Sequence, residues 1–224
     1  RLVATVKPHL IHANVPKSHI TLFLLSRLGY RGSCCFHMRE IFNRNGAPHA
    51  LYSLLFPRRH ARVVAISKAV AASLPLRMRS AALVEYNGVT ILPLRERRHE
   101  GAFPLRFVYL GRVVHLKGCH LLLQAFSLFC ARRGRSAGTL SIIGDTMYWD
   151  HSYRTVLEEE LQQRDLSPMC RLLPHTESPL DALRDHDVFC IASEREPFGR
   201  VVAEAQGCGL PVIGFASGGI PEVV

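Results

Sequence analysis

Short runs rich in β-branched and aromatic residues alternate along the chain with stretches whose apolar residues recur at spacings of three and four. The runs predict strands at residues 9–13, 33–37, 62–66, 82–86, 105–110, 139–143, 170–173, 187–192 and 211–215. Between them, Leu121, Leu122, Ala125, Phe126 and Phe129 mark one buried helical face. Ser67 stands as the N-cap of a helix over 68–74 that Pro75 stops. Strand, helix, strand units repeated in this way imply parallel sheets covered on both sides.

The pattern breaks once. From Asn87 to Pro104 it dissolves into Asn-Gly, two prolines, the run Arg95-Glu96-Arg97-Arg98 and Gly101, which reads as a linker. The expected organisation is a partial first α/β domain over 1–90, a linker over 91–104 and a second domain over 105–224. The length of 224 residues suits one or two domains of roughly 100 to 200 residues each. With 48% hydrophobic and 21% charged residues, a disordered or fibrous chain is excluded. No run reaches the ~18 uninterrupted apolar residues of a membrane span. The start, from Arg1, lacks the parts of a signal peptide.

Charge changes this picture. Residues 1–100 hold 16 Lys and Arg against 4 Asp and Glu, whereas residues 101–224 hold 12 against 14. So basic a first half fits anionic headgroups, nucleic acid or the phosphates of a substrate, or else an Arg-rich solvated surface. Its dense clusters, Arg58, Arg59, Arg62 and then Arg95, Arg97, Arg98, carry none of the interleaved aromatics that single-strand binders need. The seven cysteines (34, 35, 119, 130, 170, 190, 208) form no CxxC pair. They point to buried thiols in a reducing compartment and so to a cytoplasmic protein, with membrane association on that face as an option.

Ligands of open parallel sheets sit beyond the carboxyl ends of the strands, so chemistry is expected in the loops that lead into helices. The first such loop is Gly111-Arg112-Val113-Val114-His115-Leu116-Lys117-Gly118. Glycines at both ends allow tight turns, and two cations near a helix N-terminus suit a diphosphate. It is neither GxGxxG nor a P-loop; the alternative is an ordinary turn with solvated cations. The second loop runs from Ser193 through Glu196-Pro197-Phe198-Gly199 into Val201, Val202, Ala203, Glu204 and Ala205. Pro197 suits a first helical position, which would leave the amides of Phe198 and Gly199 for an anion or hydroxyl. On that helix Glu196 and Glu204 would stand some 12 Å apart, too far for an acid-base dyad but fit to grip separate hydroxyls of an extended ligand. Glu204, on an inward-packing helix, needs a partner, either a ribose diol or an arginine. The third loop, Ser217-Gly218-Gly219-Ile220-Pro221-Glu222, allows close backbone approach.

Together, Tyr109-Leu110-Gly111-Arg112 with Lys117-Gly118, Glu196-Pro197-Phe198-Gly199 with Glu204-Ala205, Gly209-Leu210-Pro211-Val212-Ile213, and Gly218-Gly219 with Glu222 resemble the C-terminal half of the family-4 retaining glycosyltransferases of GT-B fold. The resemblance implies two Rossmann-like parallel-sheet α/β domains, here incomplete at both ends. It also implies transfer of a sugar from a nucleotide-diphosphate donor to an acceptor hydroxyl with retention of configuration. Arg112 and Lys117 would hold the diphosphate, Glu204 the ribose and Glu196 the donor sugar, with Gly111, Pro197, Phe198, Gly199 and Gly219 lining the donor site. Cys34-Cys35-Phe36-His37 resembles the strand whose histidine faces the donor sugar, making His37 a catalytic candidate, and His12 ends the strand before it. The donor is a co-substrate, and neither a cofactor nor a metal is expected, since no DxD-like motif stands at a strand end; Asp185-His186-Asp187 falls at a helix-to-strand turn. The acceptor is expected to be a sugar or a lipid-linked or polysaccharide glycan, with peripheral membrane contact through the basic half and no nucleic acid. Family members carry elements before residue 9 and beyond Glu222, so the sequence is expected to be the middle of a longer enzyme. The alternatives are a non-catalytic nucleotide-sugar-binding fragment and a basic nucleic-acid-binding protein.

Overall fold

The computed structural model describes residues 2–56, 61–91, 93, 104–146 and 152–224. Arg58, Arg59, the cluster Arg95, Arg97, Arg98 and most of the expected linker lie outside the described residues. The chain forms two compact units, Arg1–Asn87 with Glu196–Phe198, and Gly88–Arg195 with Gly199–Val224. Among the described residues no helix is long and apolar enough to cross a membrane.

In the first unit, β1 (Leu10–Ala13), β2 (Ser33–Met38), β3 (Ala61–Ala65) and β4 (Ala82–Val84) pair in parallel in the order β1-β2-β3-β4. Its helices are α1 (Leu2–Val6), α2 (Pro16–Arg27), α3 (Ala47–Leu55), α4 (Lys68–Ser73) and α5 (Leu76–Arg79). The period of two shows in β2, where Cys34, Phe36 and Met38 are buried and the residues between them are not. Register sets Ala13, Phe36 and Val63 side by side on the buried face. The opposite face carries His12, Cys35 and Arg62 in one row and His37, Val64 and Leu83 in the next, all exposed or half-buried. Cover on both faces, expected from the alternation of elements, is therefore not found in this sheet among the described residues. Ser67 caps α4 as its sequence position requires, its hydroxyl accepting the Val70 N–H at 3.0 Å.

The second unit is covered on both faces. Its strands β5 (Leu105–Leu110), β6 (Gly138–Ile143), β7 (Cys170–Leu173), β8 (Val188–Ile191) and β9 (Val212–Gly214) are all parallel, in the order β7-β6-β5-β8-β9. Helices α6 (Cys119–Arg133), α7 (Ser152–Gln163), α8 (Pro179–Arg184), α9 (Arg200–Gly207) and α10 (Ile220–Val223) connect and follow them. Consecutive residues of β5 enter different cores: Tyr109 packs with Leu123, Leu140 and Leu157, while Val108 packs with Leu183, Phe189 and Val202. Each fully buried Leu or Phe in these cores contributes about 1.5–3 kcal/mol.

The inward face of α6 differs from the expectation. Cys119, Leu123, Phe126 and Cys130 are buried and Leu122 and Phe129 pack half-buried against the same core, whereas Leu121 and Ala125, with one side of Leu122, Phe126 and Phe129, line an apolar groove with Ala192, Ile213 and Phe215. The helix is apolar around most of its girth, so spacing alone did not distinguish core from groove. All seven cysteines are free thiols, four buried and three half-buried, and burial pushes Cys119, Cys170 and Cys190 up to about 12.

Candidate functional site

Strand order fixes where a ligand crevice falls in the second unit. The chain leaves β5 in one direction to β6 and β7, then crosses back to β8 and β9 on the other side of β5. The order reverses between β5 and β8, and the loops leaving their carboxyl ends are the ones that hold the candidate residues.

The loop after β5 is held at several points. The buried Tyr109 donates its hydroxyl proton to the carbonyl of Arg112 at 2.8 Å, and the N–H groups of Gly111 and Val113 reach the carbonyls of Ile143 at 3.0 Å and Asp145 at 2.9 Å. Arg112 points to solvent, and no described residue holds its guanidinium. Lys117 is half-buried at the end of a 3₁₀ turn, His115–Lys117. Gly118 then takes φ +66° to start α6, and a Cβ there would overlap the carbonyl oxygen of Ala192. Only glycine fits this position, because α6 begins directly against the end of β8.

Two hydrogen bonds join the neighbouring loops. Glu194 N–H donates to the carbonyl of Leu116 at 3.2 Å, and the hydroxyl of Ser217 donates to the carbonyl of Glu194. The loops after β5, β8 and β9 thus form one connected rim, with Gly218 at φ +59° and Gly219 buried in the last of them. The hydroxyl of Ser193, in the middle loop, is buried with no partner among the described residues.

A tyrosine and two histidines that the sequence reading passed over brace this rim. Tyr153, 5% exposed, accepts the backbone N–H of His120 at 3.1 Å and lies 2.8 Å from its Nδ1. The imidazole of His115 stacks on that of His120 with centroids 4.6 Å apart. Burial, then the neighbouring His115, holds His120 below the ordinary histidine range. The residues are 33 apart in sequence, so no local pattern joins them.

The α9 loop departs from the sequence expectation. Gly199, at φ +87°, is the N-cap and the helix begins at Arg200, so Pro197 lies in the loop and is not a first helical residue. The amides at the helix start are those of Arg200 and Val201, not those of Phe198 and Gly199. The left-handed turn at Gly199 interrupts the helix that the 12 Å spacing of Glu196 and Glu204 assumed. Glu196 is buried in the loop. Glu204 sits one helical turn into α9, its side chain 14% exposed, and pairs with Arg200 Nε at 3.1 Å. The arginine partner foreseen for Glu204 is thus present on its own helix.

In the first unit, His12 and His37 share the less-buried sheet face and stack with centroids 5.3 Å apart and planes within 15°. Nε2 of His37 is buried and has no partner among the described residues. Burial, then the charges of Arg39, His12 and His19, lowers the His37 pKa. A stacked, desolvated imidazole of this kind stays neutral near pH 7 and offers one ring nitrogen to a ligand hydroxyl.

Among the described residues no group of three His, Cys, Asp or Glu side chains could hold a metal ion. Asp187 is engaged at the amino ends of the strands, its carboxylate accepting from Arg106 N–H at 2.9 Å, Nε at 3.1 Å and Nη2 at 2.9 Å. His186 donates from Nδ1 to the carbonyl of Ala182 at 2.6 Å.

Comparison with known proteins matches residues 95–224 to the family described as glycosyl transferases group 1. A D-inositol 3-phosphate glycosyltransferase of Pseudarthrobacter chlorophenolicus is 32% identical over 133 residues, 58% of this chain and 31% of that protein. A capsular polysaccharide biosynthesis glycosyltransferase, CapM, of Staphylococcus aureus is 31% identical over 105 residues, 47% of this chain and 26% of that protein. The chain therefore spans about a third of the length of such relatives. Among solved structures, Anabaena HepE in complex with UDP and glucose superposes with a TM-score of 0.84 at 24% identity, covering 100% of this chain and 64% of that one. Sucrose-phosphate synthase of Thermosynechococcus elongatus gives 0.79 at 20% identity, covering 98% and 59%. This likeness shows the fold, two parallel-sheet α/β domains of GT-B type.

Proposed function

The chain belongs to the glycosyl transferases of group 1, and on that premise we propose that it is a retaining glycosyltransferase of family 4, moving a sugar from a nucleotide-diphosphate donor to an acceptor hydroxyl. The observation that carries this reading is the rim at the β5/β8 switch point. There the loop bearing Arg112 and Lys117 is hydrogen-bonded through Glu194 to the loop that leads into the helix of Glu204.

Each residue type answers a need of that reaction. Arg112 and Lys117 neutralise the charge that grows on the diphosphate as it leaves, usually the largest contribution in such transfers. Glu204 accepts hydrogen bonds from the ribose, and Glu196 and His37 meet hydroxyls of the sugar. Gly111, Pro197, Phe198, Gly199 and Gly219 shape the donor site. In the proposed step the bond from the anomeric carbon to the phosphate oxygen breaks and a bond to the acceptor oxygen forms on the same face, the acceptor proton passing to the departing phosphate. With two cations and a helix terminus on the diphosphate, no metal or other cofactor is part of the proposal. A similar protein named for D-inositol 3-phosphate and a neighbour holding UDP and glucose make UDP-glucose and a phosphorylated polyol the first donor and acceptor to test. The basic first half favours an anionic, lipid-linked or polysaccharide acceptor at the cytoplasmic face of a membrane.

Calorimetric titration with UDP and UDP-glucose tests the donor site, and release of UDP with and without acceptor tests turnover. Lys117→Ala is expected to lower turnover through lost leaving-group stabilisation, and Glu204→Ala mainly to weaken donor binding. Unchanged donor binding in both variants removes the donor-site assignment. Binding without turnover leaves a nucleotide-sugar-binding module, and salt-sensitive DNA binding in place of UDP binding leaves a nucleic-acid protein.

A further inference from the structure

On the α8 face of the second sheet, below the rim, stands a serine–histidine pair that the donor chemistry does not use. Nε2 of His186 lies 3.0 Å from the hydroxyl oxygen of Ser141 in β6, and its Nδ1 lies 2.6 Å from the carbonyl of Ala182. A carbonyl only accepts, so Nδ1 carries the ring proton, and Nε2 of the neutral imidazole accepts from the serine. Burial, the largest influence on it, lowers the pKa of His186, which keeps the ring neutral near pH 7. Nucleophile, base and a third group that orients the base thus follow one another in hydrogen-bond sequence.

The face around the pair opens toward the β7 edge. Register sets Val108, Ser141 and Arg171 side by side on β5, β6 and β7. Val108 is fully buried, Ser141 is half-buried and Arg171 is exposed. Thr139 and Leu173, on the same face, are exposed as well. Adjacent strands stand about 4.8 Å apart, so the long arginine side chain has the reach to meet a group held over the serine hydroxyl. No described residue holds its guanidinium.

We propose that Ser141 is a covalent site of this protein, a nucleophile that takes up the acyl group of a small ester, with His186 as its base and Arg171 beside the developing oxyanion. In this step the Oγ of Ser141 bonds to the acyl carbon and its proton passes to Nε2 of His186. The bond from that carbon to the ester oxygen breaks, and the alcohol leaves with the proton from Nε2. Water, deprotonated by the same nitrogen, then cleaves the acyl-serine to the free acid and restores the hydroxyl. The three residues belong to the second unit and none is assigned to the donor, so ester chemistry and UDP binding can fail separately.

The test treats the whole chain with a fluorophosphonate, which labels activated serines, and maps the adduct by peptide mass spectrometry. Hydrolysis of p-nitrophenyl acetate, UDP titration and circular dichroism are followed on the same samples. The expected result is a label on Ser141 that forms about a hundredfold more slowly in His186→Gln and about tenfold more slowly in Arg171→Gln, with spectra and UDP affinity unchanged. Hydrolysis should exceed that of Ser141→Ala. Arg171 is exposed, so its variant decides the matter should His186→Gln lose its fold. Absence of label on Ser141, labelling indifferent to either substitution in a folded variant, or hydrolysis no faster than in Ser141→Ala overturns the proposal and leaves the pair as a hydrogen bond that only fastens the end of α8 to β6.

Discussion

The hydroxyl of Tyr153 stands 2.8 Å from Nδ1 of His120 while accepting that residue's backbone N–H. One oxygen thus meets both the backbone N–H and the ring of the same histidine. The first turn of α6 is thereby anchored to α7, and with it the 3₁₀ turn that carries Lys117. Tyr153→Phe leaves the half-buried N–H without its partner and is expected to cost about 1 kcal/mol in urea unfolding. UDP affinity should fall in parallel, with Lys117 still present. A variant that loses stability and binds UDP as before would show that the brace does not position the loop.

Gly118 offers a second lever on the same loop. Its φ of +66° and the carbonyl oxygen of Ala192 leave no room for a side chain. Gly118→Ala has to move either the start of α6 or the end of β8, and we expect a loss of more than about 1 kcal/mol, read as a lower melting temperature. Gly134→Ala, at φ +91° with open space around the new Cβ, isolates the dihedral penalty from the overlap. Equal losses in the two variants would remove the contact with Ala192 as the reason for glycine at 118.

Much of this architecture was legible along the chain. All nine expected strands occur, since strands buried on both faces write continuous apolar runs and those buried on one face an alternation of period two, and Ser67 caps its helix because capping is a local interaction. The loops at the switch point were legible for the same reason: glycines, prolines and cations mark them. Contacts between distant segments left no local signal. The Tyr153–His120 pair, the link from Glu194 to Leu116 and the Arg106–Asp187 pair each join segments tens of residues apart. The start of α9 was misplaced because Pro197 carries a helix-start signal that the left-handed Gly199 overrides. Stacking of His12 on His37 follows from a register that places His12 opposite Cys35, which a single strand does not reveal.

Acid should weaken the fold through its buried histidines. Burial is the leading cause that lowers the pKa of His19 and His186 below 6.5. His19 donates from Nε2 to the carbonyl of Ala13 at 3.1 Å and accepts at Nδ1 from the hydroxyl of Tyr52 at 2.7 Å, an arrangement only the neutral ring can make. With the folded pKa below the unfolded one, the unfolded chain takes up more protons as pH drops. Their contribution is complete above about pH 6.5 and is lost as pH falls toward the folded values. The urea midpoint should decline from pH 7 to pH 5, and His19→Gln should flatten that decline while lowering stability at pH 7. An unaltered slope in His19→Gln would move the effect to other groups.

Asp187 separates stability from ligand binding. Its three hydrogen bonds from Arg106 tie the start of β5 to the start of β8, at the end of the sheet away from the rim, with side chains 20% and 34% exposed. The guanidinium of Arg106 is held above its ordinary range first by these bonds. Asp187→Asn should cost about 1–3 kcal/mol of stability and leave the dissociation constant for UDP unchanged. A weakened UDP complex in this variant, at a temperature where it is fully folded, would mean that strand pairing at one end controls the geometry of the other.

The pairing of Arg200 with Glu204 allows the ribose assignment to be decided. An exposed i,i+4 pair on a helix contributes about 0–1 kcal/mol, and the Arg200 side chain is 66% exposed, so Arg200→Ala should hardly alter stability. If the carboxylate of Glu204 accepts hydrogen bonds from a ribose diol, it keeps that ability without the arginine, and UDP affinity should stay within about threefold. Glu204→Gln removes the charge that strengthens those bonds and should lower affinity by about tenfold or more. A carboxylate present only to hold Arg200 gives the opposite pattern, because then neither substitution reaches the nucleotide and both leave affinity intact. Titration of the two variants against UDP and against the nucleobase uracil sharpens the reading further: the Glu204→Gln loss should appear with UDP and vanish with uracil, which has no ribose to grip.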